Sequence, residues 1–400
     1  MLPIKKSKDR NELADLVGRT KILHLTHTDI SSDSRILKEV NALADIPEYE
    51  LYGFGISMGL GAEKTNIMPQ ARILSLQLLA RNINFLPRQI RHLAVGIEMS
   101  MRLFIMGMKV RPDVVHCHDA PVLLVGFLIK HLCRAKLVYD AHELESDKNA
   151  QSRSIAWLTL RVERFVWSSI DHIISVSPSI LKWYERNLGP KPNSLILNSP
   201  IYSGAVAASD DEFIKPRHFH EKFDIPSCTK VFLYLGLLVT GRGIEKMLDA
   251  FSNNNVTAHL VFVGYGPLDG IIRDVAEKRQ NVHLHPSVPH EEVVEISRSA
   301  DVGLCIIENV SLSDYYCLPN KMFEYAFAGI PVLASDFPDI AHLVSKYGLG
   351  ECCTVDGDAI TEAIWRIERG DLTLAGKNLW DLGWQSQSKR LQQAYRALLE

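Results

Sequence analysis

The residues best equipped for chemistry lie in the run 316–336, YCLPNKMFEYAFAGIPVLASD. Pro319 and Asn320 read as a helix start, Asn320 as a good N-cap and Pro319 as a good early-turn residue. The helix covers 321–328, stops at Gly329 and cannot continue past Pro331. Residues 332–334 then form a short buried strand. The helix start offers unpaired N–H groups and a positive dipole end, which suit a phosphate, with Lys321 able to add charge. Glu324 sits about one turn in, where a carboxylate can grip ribose hydroxyls. Together these make the outline of a nucleotide-sugar site. The plain alternatives are a surface helix Glu, a good cap and a solvated Lys.

Other candidates are spread along the chain. Arg242 stands between glycines in Thr240-Gly241-Arg242-Gly243, after the apolar run 231–235. Its forked donors suit phosphate; a solvated loop arginine is the alternative. Residues 236–243 lack the Lys-Ser/Thr ending of a phosphate loop. His116 and His118 share one face of a strand and could suggest a metal pair. No third ligand of suitable spacing is evident, so no metal is expected. His142 and Glu143 follow the next strand, and Glu143 either orients a ligand group or braces its loop. Asp33 and Arg35 sit in TDISSDSR after the first strand; Arg35 could meet a phosphate or carboxylate, and Asp33 serves equally as a helix cap. Gly264-Tyr265-Gly266 makes a glycine turn after a strand.

These residues need a scaffold, and the apolar pattern supplies one. Strands are expected at 21–26, 51–55, 113–118, 136–139, 172–176 and 195–197, with helices at 34–43, 122–132 and 154–169 between them. Residues 201–230 break the pattern and read as an interdomain connection in their first part. Alternation resumes with strands at 231–236, 260–264, 282–285, 302–306 and 332–334. Strand-helix alternation means right-handed βαβ units and parallel sheets. The expected class is α/β, with two Rossmann-like doubly wound domains facing a cleft that binds ligand at the strands' carboxyl ends.

The totals narrow the partners. Across 400 residues the net charge is -3 and 46% are hydrophobic, ordinary for a globular protein and unsuited to nucleic acid. Seven scattered cysteines without C-x-x-C spacing read as reduced thiols in a cytoplasmic chain. The polar N-terminus carries no signal-peptide pattern, and no run of 18 apolar residues suggests a spanning helix. Two basic stretches are interleaved with large apolar residues: 81–109, and 153–167 with Arg153, Trp157, Arg161, Arg164 and Trp167. A basic amphipathic surface would suit a membrane face; buried helices with solvated arginines would read the same way.

Taken in order, these pieces resemble glycosyltransferase family 4, the retaining GT-B enzymes. The resemblance rests on the His-x-His strand end at 116–118, YDAHE at 139–143, YLGLLVTGRGIEKMLDAF at 234–251, VFVGYGPL at 261–268 and the block around Glu324. The tail KNLWDLGWQSQSKRLQQAYRALLE resembles the family's C-terminal helix, which crosses back to the N-terminal domain. The implied organisation is an acceptor-side domain over 1–200, a donor-side domain over 201–380 and the crossing helix over 381–400.

The resemblance implies sugar transfer from a nucleoside diphosphate, UDP being commonest, to a hydroxyl of a glycan or lipid-linked glycan, with retained configuration. No cofactor or metal is implied, because protein groups neutralise the leaving diphosphate. Arg242 would carry that charge stabilisation, since Leu237 occupies the position where the family often has Arg. Glu324 matches the second Glu of the E-x7-E motif, and Tyr316 stands where the first would fall, so either the donor-sugar contact is made differently or activity is weakened or lost. His118 would point into the cleft near the donor sugar, with His116 packed in the sheet. Gly241, Gly266 and Val288 would border the nucleotide, and Asp33, Arg35, His142 and Glu143 the acceptor side. A sugar-nucleotide epimerase of the same shape and a non-catalytic binding subunit are the rival readings. Localisation is expected to be cytoplasmic, with peripheral contact at the inner membrane face.

Overall fold

The computed structural model describes residues 18–57, 64–68, 70–83, 87–204, 215–370 and 372–400. The N-terminal stretch read as lacking a signal peptide, and part of the connection (205–214), lie outside the described residues.

The chain builds two sheets. The first has strands β1 (Thr20–Leu25), β2 (Tyr49–Ile56), β3 (Lys64–Met68), β4 (Ala71–Leu76), β5 (Val114–His118), β6 (Lys136–Ala141), β7 (His172–Ser175) and β8 (Asn193–Leu195). Their order is β3-β4-β2-β1-β5-β6-β7-β8, and only β3 runs antiparallel, against β4. The second has β9 (Val231–Leu237), β10 (His259–Tyr265), β11 (Val282–His285), β12 (Val302–Cys305), β13 (Val332–Ser335) and β14 (Gly350–Cys353) in the order β11-β10-β9-β12-β13-β14, all parallel. In both sheets the order reverses beside the first strand, between β1 and β5 and between β9 and β12. Those switch points are where a doubly wound sheet opens a crevice.

The strands are continuous apolar runs because both sheet faces are covered by helices. In the second sheet, Leu233, Leu235, Val261 and Val332 pack on one face and Phe232, Tyr234, Phe262 and Leu333 on the other. The helix Asn320–Ala328 is buried from Met322 through Ala328. Tyr325 fixes it at the switch point: its hydroxyl accepts from Leu235 N (3.0 Å) and donates to Leu233 O (2.9 Å). Gly303 makes room for that ring, since a Cβ there would lie 2.2 Å from it.

The helix Trp384–Leu399 crosses back to the first domain. Leu391 and Tyr395 join Ile36 and Val40 in one core, and the Tyr395 hydroxyl lies 2.7 Å from His116 Nδ1. This corrects the strand expected at 195–197: β8 ends at Leu195, and Leu197 N donates to Gln387 of the crossing helix (3.2 Å). Ile196 N still donates to Ser175 O of β7 (3.0 Å), and Leu197 packs into the core of the second domain.

Candidate functional site

The carboxyl ends of the two sheets enclose a cavity of about 760 Å³, within the range of small-molecule sites. The first domain contributes Asp33, Arg35, His142 and Glu143 to its wall, and the second contributes Arg242, Val288, Pro319, Asn320, Lys321 and Glu324. Ten of the residues singled out in the sequence therefore meet in one place. His118, Tyr316, Gly241 and Gly266 do not line it.

The helix start differs from its expected form in one respect. Pro319 is the N-cap, with φ -72° and ψ 141°, and Asn320 is the first helical residue. The fixed φ of proline and its preference for extended ψ suit that junction. No side chain caps the helix, so its positive end opens on the cavity. Gly329 terminates it in the left-handed region at φ 81°.

Lys321 is the most informative side chain. Its Nζ is buried, has no hydrogen-bond partner, and lies 3.6 Å from the centroid of the Tyr234 ring. A cation–π contact offsets only part of the cost of an unpaired ammonium. The ammonium and the open helix N-terminus both belong to the cavity wall, an arrangement that an anion completes.

Glu324 is 7% exposed, not a surface residue. Burial, opposed in part by Lys321 and Lys38, pushes its carboxyl up to about 7. The folded state thus holds a proton that the unfolded state has released, and folding stability falls as pH rises between the two values. Glu324→Gln is expected to stabilise the free protein by up to about 3 kcal/mol at pH 8 and to leave it nearly unchanged at pH 5. Urea unfolding of both proteins at the two pH values checks this; an equal difference at both would contradict it.

Arg242 comes from the loop between β9 and the helix Ile244–Phe251. The turn depends on Gly243, at φ 68°, where a Cβ would lie 2.5 Å from Ile306. Arg242 Nη1 donates to Asp314 Oδ1 at 3.0 Å. Asp314 is itself buried, and it accepts from the Ser311 hydroxyl (2.7 Å). Asp314 also lines the cavity, so a carboxylate reaches the cleft two residues before the position where the motif lacks its Glu. Sequence reading missed Asp314; the S-x-x-D pattern of Ser311 to Asp314, a helix-start signature, was the available signal. Tyr316 turns away and packs against the core of the first domain. Gly241 and Gly266 shape the loops behind the wall: a Cβ would lie 2.7 Å from Asn149 Nδ2 at Gly241 and 2.4 Å from Leu238 O at Gly266.

On the first domain, His118 is fully buried beneath the cleft. It lies in a stack with His24 and His116, ring centroids 4.3 Å apart for His116 and His118 and 4.6 Å for His24 and His116. The reason is its place in the middle of the sheet, where β1 and β6 flank β5. Burial lowers His116 to about 3 and His118 to about 4, so both rings are neutral. The fold does bring further ligand types beside this pair: His24, or Glu39 and Asp140, place an atom within 4.8 Å. Asp140, however, already accepts two bonds from Arg35 Nη2, at 3.0 and 3.1 Å. Arg35 also donates to Ile196 O (3.1 Å) and lies 3.0 Å from Glu39. Its guanidinium therefore serves the interior, not an incoming ligand as the sequence suggested.

His142 is the charged histidine. Burial opposes its imidazolium, but Asp119 and Asp140 outweigh it and hold the pKa up to about 9. Its Nε2 lies 3.0 Å from Asp140 Oδ2, and its Nδ1 3.6 Å from Asp119 Oδ2. Asp119 adopts φ 66° directly after β5, a strained conformation of the kind found at functional sites. Asp33 caps the helix Ser34–Ala44, accepting from Ile36 N (3.3 Å), and Glu143 stays half exposed near Lys148 (3.6 Å).

Comparison with known proteins agrees with this geometry. Residues 68–199 match the family described as "Glycosyl transferase 4-like domain", and residues 229–369 match "Glycosyl transferases group 1". An uncharacterized glycosyltransferase of Methanocaldococcus jannaschii is 26% identical over 266 residues, covering 62% of this chain and 63% of that protein. The chitobiosyldiphosphodolichol beta-mannosyltransferase of Candida albicans is 23% identical over 244 residues, covering 56% and 53%. Each of these matches thus spans less than two thirds of the relative's own length. Among solved structures, a sucrose-phosphate synthase from Thermosynechococcus elongatus superposes with a TM-score of 0.76 at 18% identity, covering 95% of this chain and 99% of that one. Anabaena HepE in complex with UDP and glucose superposes with a TM-score of 0.68 at 13% identity, covering 96% and 100%. Two family matches in tandem, on two Rossmann-like domains with a helix crossing between them, lead to one conclusion: the chain belongs to the GT-B glycosyltransferases of family 4 type.

Proposed function

We propose that this glycosyltransferase moves a sugar from a nucleoside diphosphate, UDP first, to a hydroxyl of a glycan or lipid-linked glycan, with retained anomeric configuration and without a bound metal. The observation that carries the reading is the orphaned Lys321 ammonium at an open helix start, with Arg242 and Glu324 on the same wall. Lys321 and the helix end hold the diphosphate, Arg242 meets the charge that develops as it leaves, and Glu324 accepts from the ribose hydroxyls. Gly241, Gly266 and Val288 shape the nucleotide side; Asp33, His142 and Glu143 face the acceptor. The solved complex of a structural neighbour with UDP and glucose supports the donor class, and the name of the Candida relative supports a lipid-linked acceptor.

The bond between the anomeric carbon and the phosphate oxygen breaks while the acceptor oxygen bonds to the same face of that carbon. The acceptor proton passes to the departing phosphate, so no protein nucleophile is required. The buried His118 acts through His142, 3.3 Å from it, as a positioning residue. Product analysis tests the reading: a UDP-sugar with a glycan acceptor is expected to give UDP and a glycoside of unchanged anomeric configuration. Isomerised UDP-sugar without acceptor would identify an epimerase, and binding without either product a non-catalytic subunit.

A further inference from the structure

Three helices cover the outer face of the first sheet: Arg88–Val110, Leu123–Cys133 and Arg153–Val166. Their inner sides bury Leu103, Val125, Ile129 and Val166 against β-strand side chains. Their outer sides are not polar. Ile90, Leu93, Ile97, Met101 and Ile105 recur at helical spacing on the first, each 49–65% exposed. Leu124, Leu128 and Leu132 recur every fourth residue on the second, 42–62% exposed, and Ile155, Trp157, Leu158 and Phe165 are 57–64% exposed on the third. Twelve of the twenty exposed large apolar side chains among the described residues therefore sit on one face. The face is continuous: Cys133 Sγ lies 3.8 Å from Met108 Sδ, and the Phe127 and Phe165 rings are 5.3 Å apart. At roughly 100 Å² per half-exposed large side chain, it shows on the order of 1000 Å² of apolar surface, more than the roughly 300–600 Å² of a typical monomer's largest patch.

Charge decides what covers it. The three helices carry eight Arg and Lys against two Glu, and Lys130 is paired with a carboxylate outside them, Asp171, in a chain whose net charge is -3. Glu163 is buried, and Glu98 is bound by Arg102 (2.9 Å) and by Leu79 N and Ala80 N. A second copy would set this excess of positive charge against itself. A bilayer with anionic headgroups satisfies both components, taking the apolar side chains into its interface and the cations at its surface. Trp157, 60% exposed with Arg161 5.0 Å over its ring, has the amphipathic character of an interfacial anchor. Among the described residues no helix is long and apolar enough to cross a membrane, so the contact is a lying-on, not a spanning.

We propose that the face formed by these three helices docks the protein onto an anionic lipid bilayer. It uses different residues from the cleft and stands independently of the sugar-transfer reading. Cosedimentation of the full chain with vesicles tests it. Binding to phosphatidylcholine–phosphatidylglycerol vesicles is expected to exceed binding to phosphatidylcholine vesicles at least tenfold and to weaken as salt rises. The triple variant Ile97→Ser/Met101→Ser/Trp157→Ser is expected to lose at least tenfold in binding with an unchanged melting temperature, and Arg153→Glu/Arg164→Glu to lose the preference for phosphatidylglycerol. No binding to either vesicle, or equal binding to both, would overturn the proposal. So would a dimer in sedimentation equilibrium that the triple serine variant dissociates, because a second copy would then cover the face.

Discussion

Arg242→Ala is expected to lower the turnover of sugar transfer by about a thousandfold while weakening UDP binding far less. Donors aimed at developing charge typically contribute 10²–10³ in rate, and an arginine serving a departing diphosphate belongs at the upper end. The geometry supports a role in the rate. Arg242 lines the cavity on a loop fixed by Gly243, and Asp314 holds it at 3.0 Å. That tether sets the fork's orientation before a ligand arrives, so Asp314→Asn is expected to cost turnover about tenfold with the guanidinium still present. Initial rates with saturating donor separate the outcomes. A rise in KM with unchanged kcat for Arg242→Ala would show that it only binds the ground state.

Lys321→Met should weaken UDP binding about 30- to 150-fold, the value of one charge-assisted contact of roughly 2–3 kcal/mol. The same substitution should not destabilise the free protein. It removes a buried ammonium with no hydrogen-bond partner, and methionine keeps the stem's packing against Tyr234 and can favour the ring. An unchanged or raised melting temperature with a large loss of affinity is a pattern that a structural lysine cannot give. A fall in melting temperature with unchanged affinity would assign Lys321 to packing alone.

The scaffold was largely visible in the sequence because buried parallel strands are continuous apolar runs. The second strand of each domain, the helices expected at 34–43, 122–132, 154–169 and 321–328, and the terminator Gly329 fall close to where the pattern puts them, while the other crossover helices were not placed. β3, β4 and β14 escaped it, the last because Gly-Glu-Cys-Cys offers no apolar run. The cleft wall was legible where it coincides with local structure, at the start of the helix Asn320–Ala328 and in the turn that carries Arg242. It was not legible where long-range packing decides. His118 reads as a cleft residue until β1 and β6 close over it. Arg35 reads as a ligand-facing cation until Asp140, 105 positions away in sequence, accepts from its Nη2 and Ile196 O from its Nη1. Tyr316 leaves the cleft and Asp314, absent from the sequence reading, lines it, because the short helix Leu312–Tyr315 turns the first toward the core and the second toward the cleft. The exposed apolar residues of Arg88–Val110 have the same spacing as buried ones, and only the assembled fold shows which face they occupy.

On the proposed reading, the wall formed by Lys321, Arg242 and Glu324 seats a nucleoside diphosphate. Calorimetric titration of UDP into the unaltered protein, beside Lys321→Met, tests it most directly. Saturable one-to-one binding that collapses in the variant is the predicted result. No heat of binding at millimolar UDP, or equal affinity in both proteins, would contradict it.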